Sequence, residues 1–161
     1  MIGIVLTIIF SKGWVIRHLN INNVILNGFL AEDVYMMQRE GFINPERQDF
    51  ECKFDKTIYG LKQAPYAWFD RFENTLITWD FNNSKCDISL LLFILHDKIL
   101  FILVYVDHIL VTGNDQALMQ TFICQLNKIF VVKGMRDLHH FLGIKVYRDE
   151  TRIYLTQSRY I

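Results

Sequence analysis

Little in this sequence points to secretion, a membrane or strong binding to nucleic acid. It has three cysteines, Cys52, Cys86 and Cys124, and none sits at the paired spacing of a zinc site. They read as buried free thiols of a reducing, intracellular compartment, and nothing divides cytoplasm from nucleus. Lys+Arg and Asp+Glu number 17 each, for a formal net charge of +0. A strong autonomous nucleic-acid binder carries a basic surplus, so only a local basic patch is left open. The apolar start, residues 1–10, lacks the basic flank and small-residue cleavage site of a signal peptide. It is also too short to span a membrane, and it reads as a helical or poorly ordered remnant of a core helix. There is no internal repeat, low-complexity segment or linker.

What is present is apolar and β-favouring. The chain has 161 residues and is 52% hydrophobic, enough for one domain with a core. Its organising stretch is residues 101–111, a run of Phe, Ile, Leu, Val and Tyr broken once by Asp107 and His108. Such a run reads as strand, and a carboxylate buried unpaired within it is costly. Asp107 is therefore predicted at a tight turn between two strands, within reach of water or a cation. The apolar runs 88–95 and 99–106 are divided by His96-Asp97-Lys98, which predicts a further hairpin.

The flanking segments give the remaining elements. Residues 14–21 alternate as a strand. Residues 24–26 form a short helical turn, punctuated by Asn27-Gly28. Short strands are expected at 34–37 and 51–54. Pro65 suits a helical first turn, and Trp68, Phe69, Phe72, Leu76 and Trp79 follow at helical spacing. Asn114 and Asp115 are candidate N-caps for a helix burying Leu118, Phe122, Leu126, Ile129 and Phe130. Residues 138–146 and 153–156 read as a final hairpin around Asp149-Glu150. The expected fold is α+β, an antiparallel sheet with helices packed on one face.

Several motifs in order carry a resemblance. They are Leu26-Asn27-Gly28, Glu32-Asp33-Val34-Tyr35-Met36, Gln38 with Gly41-Phe42, and Tyr59-Gly60-Leu61-Lys62-Gln63-Ala64-Pro65 with Ala67-Trp68-Phe69. Residues 103–112 with Tyr105-Val106-Asp107-His108, Asp137-Leu138-His139 and Phe141-Leu142-Gly143-Ile144 complete the set. Over nearly its whole length the chain resembles the reverse transcriptase of Ty1/copia-type retrotransposons, especially the plant versions. The resemblance implies a polymerase palm-like fold. It also implies a single partial domain over 1–161 that lacks most of the fingers and the thumb and RNase H regions. The implied partners are an RNA template with a DNA primer, deoxynucleoside triphosphates and any remaining polyprotein segments, with no membrane. It further implies that Ile25, Tyr59, Gly60 and Lys62 lie near the nucleotide, and that Phe141, Leu142 and Gly143 grip the primer.

The implied chemistry is two-metal nucleotidyl transfer, with Mg²⁺ held by three aspartates. One stands on the first strand and two at the hairpin turn. In this chain Asn20 stands for the first and His108 for the third, leaving Asp107 as catalytic residue and metal ligand. Asn20 offers a neutral carbonyl oxygen, and His108 a nitrogen better suited to Zn²⁺ or other transition metals than to Mg²⁺. Unit charges 4 Å apart interact by ~4 kcal/mol at an effective dielectric of ~20, so losing two should cost several powers of ten in rate. Ile25 replaces an aromatic that excludes a 2′-hydroxyl, Tyr66 an arginine and Arg39 a proline. The expected function is that of a copia-type RNA-directed DNA polymerase fragment, catalytically inactive and without tightly bound Mg²⁺. The alternatives are a non-catalytic palm module binding nucleic acid or protein, and a functionless relic. Asp107 is either a residual metal ligand or a relic at a turn, satisfied by His108 or Asn20.

Overall fold

The structure, a computed structural model, describes residues 2–137, 140–141, 144–148 and 153–156. In chain order its elements begin with α1 (Ile2–Lys12), β1 (Val15–Ile21), a 3-10 turn (Val24–Asn27), β2 (Phe29–Met37), β3 (Glu51–Lys56) and α2 (Ala64–Ile77). They continue with β4 (Asn82–Asn83), β5 (Leu90–Leu95), β6 (Lys98–Tyr105), β7 (His108–Gly113), α3 (Gln116–Ile129), β8 (Val132–Asp137), β9 (His140–Phe141), β10 (Ile144–Arg148) and β11 (Ile153–Thr156). The chain divides into two compact units, Met1–Asn22 with Asp80–Ile161, and the intervening Asn23–Trp79.

The first unit holds a six-stranded sheet in the order β4-β5-β6-β7-β1-β8. All its pairings are antiparallel. The hairpins β5–β6 and β6–β7 follow the apolar runs of the sequence, each closing on a two-residue turn. β1 lies between β7 and β8, and its register shifts between His18 and Asn20 on the β8 side.

Both faces of this sheet need cover, because alternate residues on both are apolar. On one face Leu90, Leu103 and Leu110 are in register, and they cluster with Ile16 and with Val5 and Ile9 of α1. The other face carries Phe93, whose ring lies 5.3 Å from Phe81; Phe81 in turn lies 5.3 Å from Phe122 of α3. Helices on one face only, the sequence expectation, is therefore corrected for this unit. Strands β5 to β7 are apolar on both sides, so α1 and α3 are divided between the faces.

α3 starts where its cap predicts, with the Asp115 carboxylate accepting from Leu118 N at 2.8 Å. Its buried stripe is Met119, Phe122, Ile123, Leu126 and Phe130, a 3.6-residue period. Ile129, expected inside, is exposed; it is the last residue of the helix. β8 has no counterpart in the sequence reading: Gly134 (φ 63°) interrupts it, and Lys133 and Arg136 hide any apolar alternation. The final hairpin pairs Lys145 with Thr156 through Arg148 with Ile153. Leu138, His139, Asp149 and Glu150 lie outside the described residues.

The second unit contains the β2–β3 ladder, the 3-10 turn and α2. Trp68, Phe72 and Leu76 are buried on one face of α2, with Pro65 in its first turn. Gly28 is not a left-handed helix end; its backbone is extended at φ −72°, ψ 146°. Glycine is needed there for close approach, since a Cβ would stand 2.8 Å from both Thr57 Oγ1 and Trp68 N. Arg71 fixes the same corner, donating to Asn27 O at 2.6 Å and lying 4.7 Å over the Phe29 ring.

The cysteines are free, but exposed and not buried. Cys52 lies on the largely exposed β3, and Cys124 lies on α3 away from its apolar stripe. Among the described residues no helix is long and apolar enough to cross a membrane.

Candidate active site

The site grows out of the β6–β7 hairpin. Tyr105 pairs with His108, so Val106 and Asp107 alone make the turn. Val106 sits at φ 53°, a left-handed conformation that is costly for a β-branched residue. Asp107 escapes the apolar run by standing at this turn, with its side chain 41% exposed. Its main-chain carbonyl accepts from Ile21 N at 3.0 Å, which ties the turn to β1.

That tie sets which side chains meet. On β1, Asn20 is opposite His108 and His18 opposite Leu110. Residues two apart on a strand share a face, so His18, Asn20 and His108 project from the same side. Asn20 Nδ2 donates to Asp107 Oδ2 at 3.1 Å. Asp107 Oδ1 lies 3.7 Å from His108 Nε2. His108 Nδ1 lies 3.0 Å from His18 Nε2. The result is a continuous polar chain, Asn20–Asp107–His108–His18, at one end of the central strands. Asn20, Asp107 and His108 were singled out from sequence as positions 87 and 88 residues apart, and one small cluster brings them together.

The profile of the reverse transcriptase (RNA-dependent DNA polymerase) family matches residues 1–161. The chain belongs to this family. Its relatives are Pol polyproteins of copia-type retrotransposons. The retrovirus-related Pol polyprotein from transposon RE1 of Arabidopsis thaliana is 46% identical over 160 residues, 99% of this chain and 11% of the relative. That from transposon RE2 of the same plant is 44% identical over 159 residues, again 99% of this chain and 11% of the relative. That from transposon TNT 1-94 of Nicotiana tabacum is 29% identical over 160 residues, 98% of this chain and 12% of the relative. The chain thus spans about a tenth of the length of these polyproteins. No solved structure matches it. Members of the reverse transcriptase family work on nucleic acid with divalent metal ions.

The other positions that the resemblance selects belong to other elements. Ile25, Tyr59, Gly60 and Lys62 belong to the second unit. Ile25 is half-buried in the 3-10 turn, and its carbonyl accepts from Thr57 Oγ1. Gly60 turns at φ 97° between exposed Tyr59 and exposed Lys62. Phe141 is on β9, paired with Ile144, whereas Leu142 and Gly143 lie outside the described residues.

His18 is the member of the cluster that the sequence reading missed. The signal was available: once Asn20 is set opposite the hairpin turn, the residue two before it shares its face.

Proposed function

We propose that this chain is a partial copy of the palm of a copia-type RNA-directed DNA polymerase, and that it is catalytically inactive. The antiparallel sheet with a carboxylate at the β6–β7 turn is the palm in this reading, and both compact units are parts of one domain. The implied substrates are an RNA template with a DNA primer and deoxynucleoside triphosphates. In this reading Ile25, Tyr59, Gly60 and Lys62 serve nucleotide binding, and Phe141, Leu142 and Gly143 serve the primer.

The observation that carries the inactivity is the donor set around Asp107. A pair of Mg²⁺ ions wants hard, anionic oxygens. Here one carboxylate has its Oδ2 engaged by the Asn20 amide at 3.1 Å and its Oδ1 facing an imidazole nitrogen at 3.7 Å. One negative charge stands where two dications would need several, so these residues do not fit the family's metal pair. No catalytic step is derived through it. In its place Asn20 and His108 brace the Asp107 carboxylate and hold the turn.

Primer extension on an RNA template tests this. The chain is grafted in place of the matching segment of the transposon RE1 polyprotein, with and without the double change Asn20→Asp and His108→Asp. The graft carrying the parent residues is expected to extend at least about a thousandfold more slowly, a barrier difference of about 4 kcal/mol. Equal rates would overturn the reading.

A further inference from the structure

We propose that His18 and His108 form a cross-strand site for one divalent transition-metal ion of the Cu²⁺ or Ni²⁺ class, with Asp107 as its outer carboxylate. This goes beyond the polymerase reading and does not rest on it. His18 Nε2 and His108 Nδ1 face each other at 3.0 Å, and their rings stand 5.0 Å apart at 40°. With metal–nitrogen bonds of about 2.0–2.1 Å, that separation is the bite of two imidazoles on one ion, at an N–metal–N angle of about 95°. An angle near 90° suits tetragonal Cu²⁺ or Ni²⁺ better than tetrahedral Zn²⁺, and nitrogen donors exclude Mg²⁺.

A second observation points the same way. A metal-bound histidine commonly donates its other ring N–H to a carboxylate, which fixes its tautomer. His108 Nε2, the nitrogen turned away from His18, faces Asp107 Oδ1 at 3.7 Å. Asn20 holds the other carboxylate oxygen at 3.1 Å, so the carboxylate has a fixed orientation. With His108 Nε2 carrying its proton toward Asp107, Nδ1 is left as a lone pair aimed at the site. The His108 side chain is 39% exposed, which gives the ion an entry path and leaves water to complete its coordination. Among the described residues no three His, Cys, Asp or Glu side chains converge on one point, so within them the two imidazole nitrogens are the donors. Without metal His18 Nε2–H donates to His108 Nδ1; for an ion to bind, that proton moves through solvent to His18 Nδ1, which frees the Nε2 lone pair and keeps the imidazole neutral.

The test is a calorimetric titration of Ni²⁺ into the full chain, free of any polyhistidine tag, in millimolar Mg²⁺. One Ni²⁺ per chain is expected. His18→Gln and His108→Asn should each weaken binding by more than about tenfold, and Asp107→Asn by roughly tenfold. Absence of binding, or unchanged affinity in both histidine variants, would overturn the proposal. Footprinting of the parent chain keeps the test independent of how the variants fold. Ni²⁺ should shield His18 and His108 from diethylpyrocarbonate; shielding only of His96, His139 or His140 would also overturn it.

Discussion

The residue strained at the β6–β7 turn is not one of the polar four but their neighbour. Val106 holds φ 53°, and the residue is 51% exposed. A left-handed β-branched residue costs on the order of 1–3 kcal/mol. Exposure means that little packing offsets this. The hairpin accepts it because a two-residue turn needs a positive φ at its first position, and because Asp107 O, held by Ile21 N, fixes the turn against β1. Glycine removes the steric cost but adds about 0.5–1 kcal/mol of unfolded-state entropy. Val106→Gly is therefore expected to raise stability by up to about 1 kcal/mol, read as a higher urea midpoint. A lower midpoint would mean that valine's contacts outweigh its strain. The same residue scale explains what the sequence disclosed of the site. Asn20, Asp107 and His108 were legible as departures within a motif. The link to His18 is legible only after the register of β1 against β7 is fixed, with Asn20 opposite His108.

At the scale of the element, legibility followed periodicity. The β5–β6 and β6–β7 hairpins, α2 and α3 were visible because their apolar patterns are strong and their turn and cap residues agree with them. β8 was invisible because its sequence, VKGMRD over 132–137, has no apolar alternation. α3 shows how a cap joins two elements. Asp115 accepts from Leu118 N, and its other oxygen lies 2.6 Å from Lys98 Nζ at the start of β6. The Lys98 hydrogen bond first, and the Leu118 N–H second, hold the Asp115 carboxyl below its ordinary value of 3.8. A carboxyl lowered on folding stabilises the fold above its unfolded value, and that contribution is lost as pH falls through the folded value. Asp87 is lowered too, by the Ser89 hydroxyl and then its N–H, and acts in the same direction. Asp115→Asn keeps a capping side chain and removes the titration. Its urea midpoint should fall less steeply than the parent's below roughly pH 4, with the Asp87 part of the decline intact. Parallel acid limbs would remove Asp115 from the account.

At the scale of the molecule, the first unit is built from two stretches of chain separated by the whole second unit. β1 belongs to the first stretch, yet it lies between β7 and β8 of the second. No local pattern encodes such an order, which is why the sequence disclosed β1, β5, β6 and β7 as strands but not their order in the sheet. It also gave no reason to place α1 opposite α3. The apolar first residues looked like a remnant, whereas Val5 and Ile9 form a cluster with Ile16, Leu90, Leu103 and Leu110, and Trp14 and Phe101 border it. If α1 is the cover of that face, its contribution must be confined to the inward side. Ile9 is 1% exposed and Ile8 is 36% exposed, so neighbouring isoleucines make an internal control. Ile9→Ala should cost about 2–5 kcal/mol through lost burial and the cavity left behind. Ile8→Ala should stay within about 0.5 kcal/mol. Because domains are stable by only about 5–15 kcal/mol, the first change should move the denaturation midpoint far and the second hardly at all. Equal costs at the two positions would mean that α1 is not seated on the sheet, and that the face carrying Leu103 and Leu110 is covered by something else.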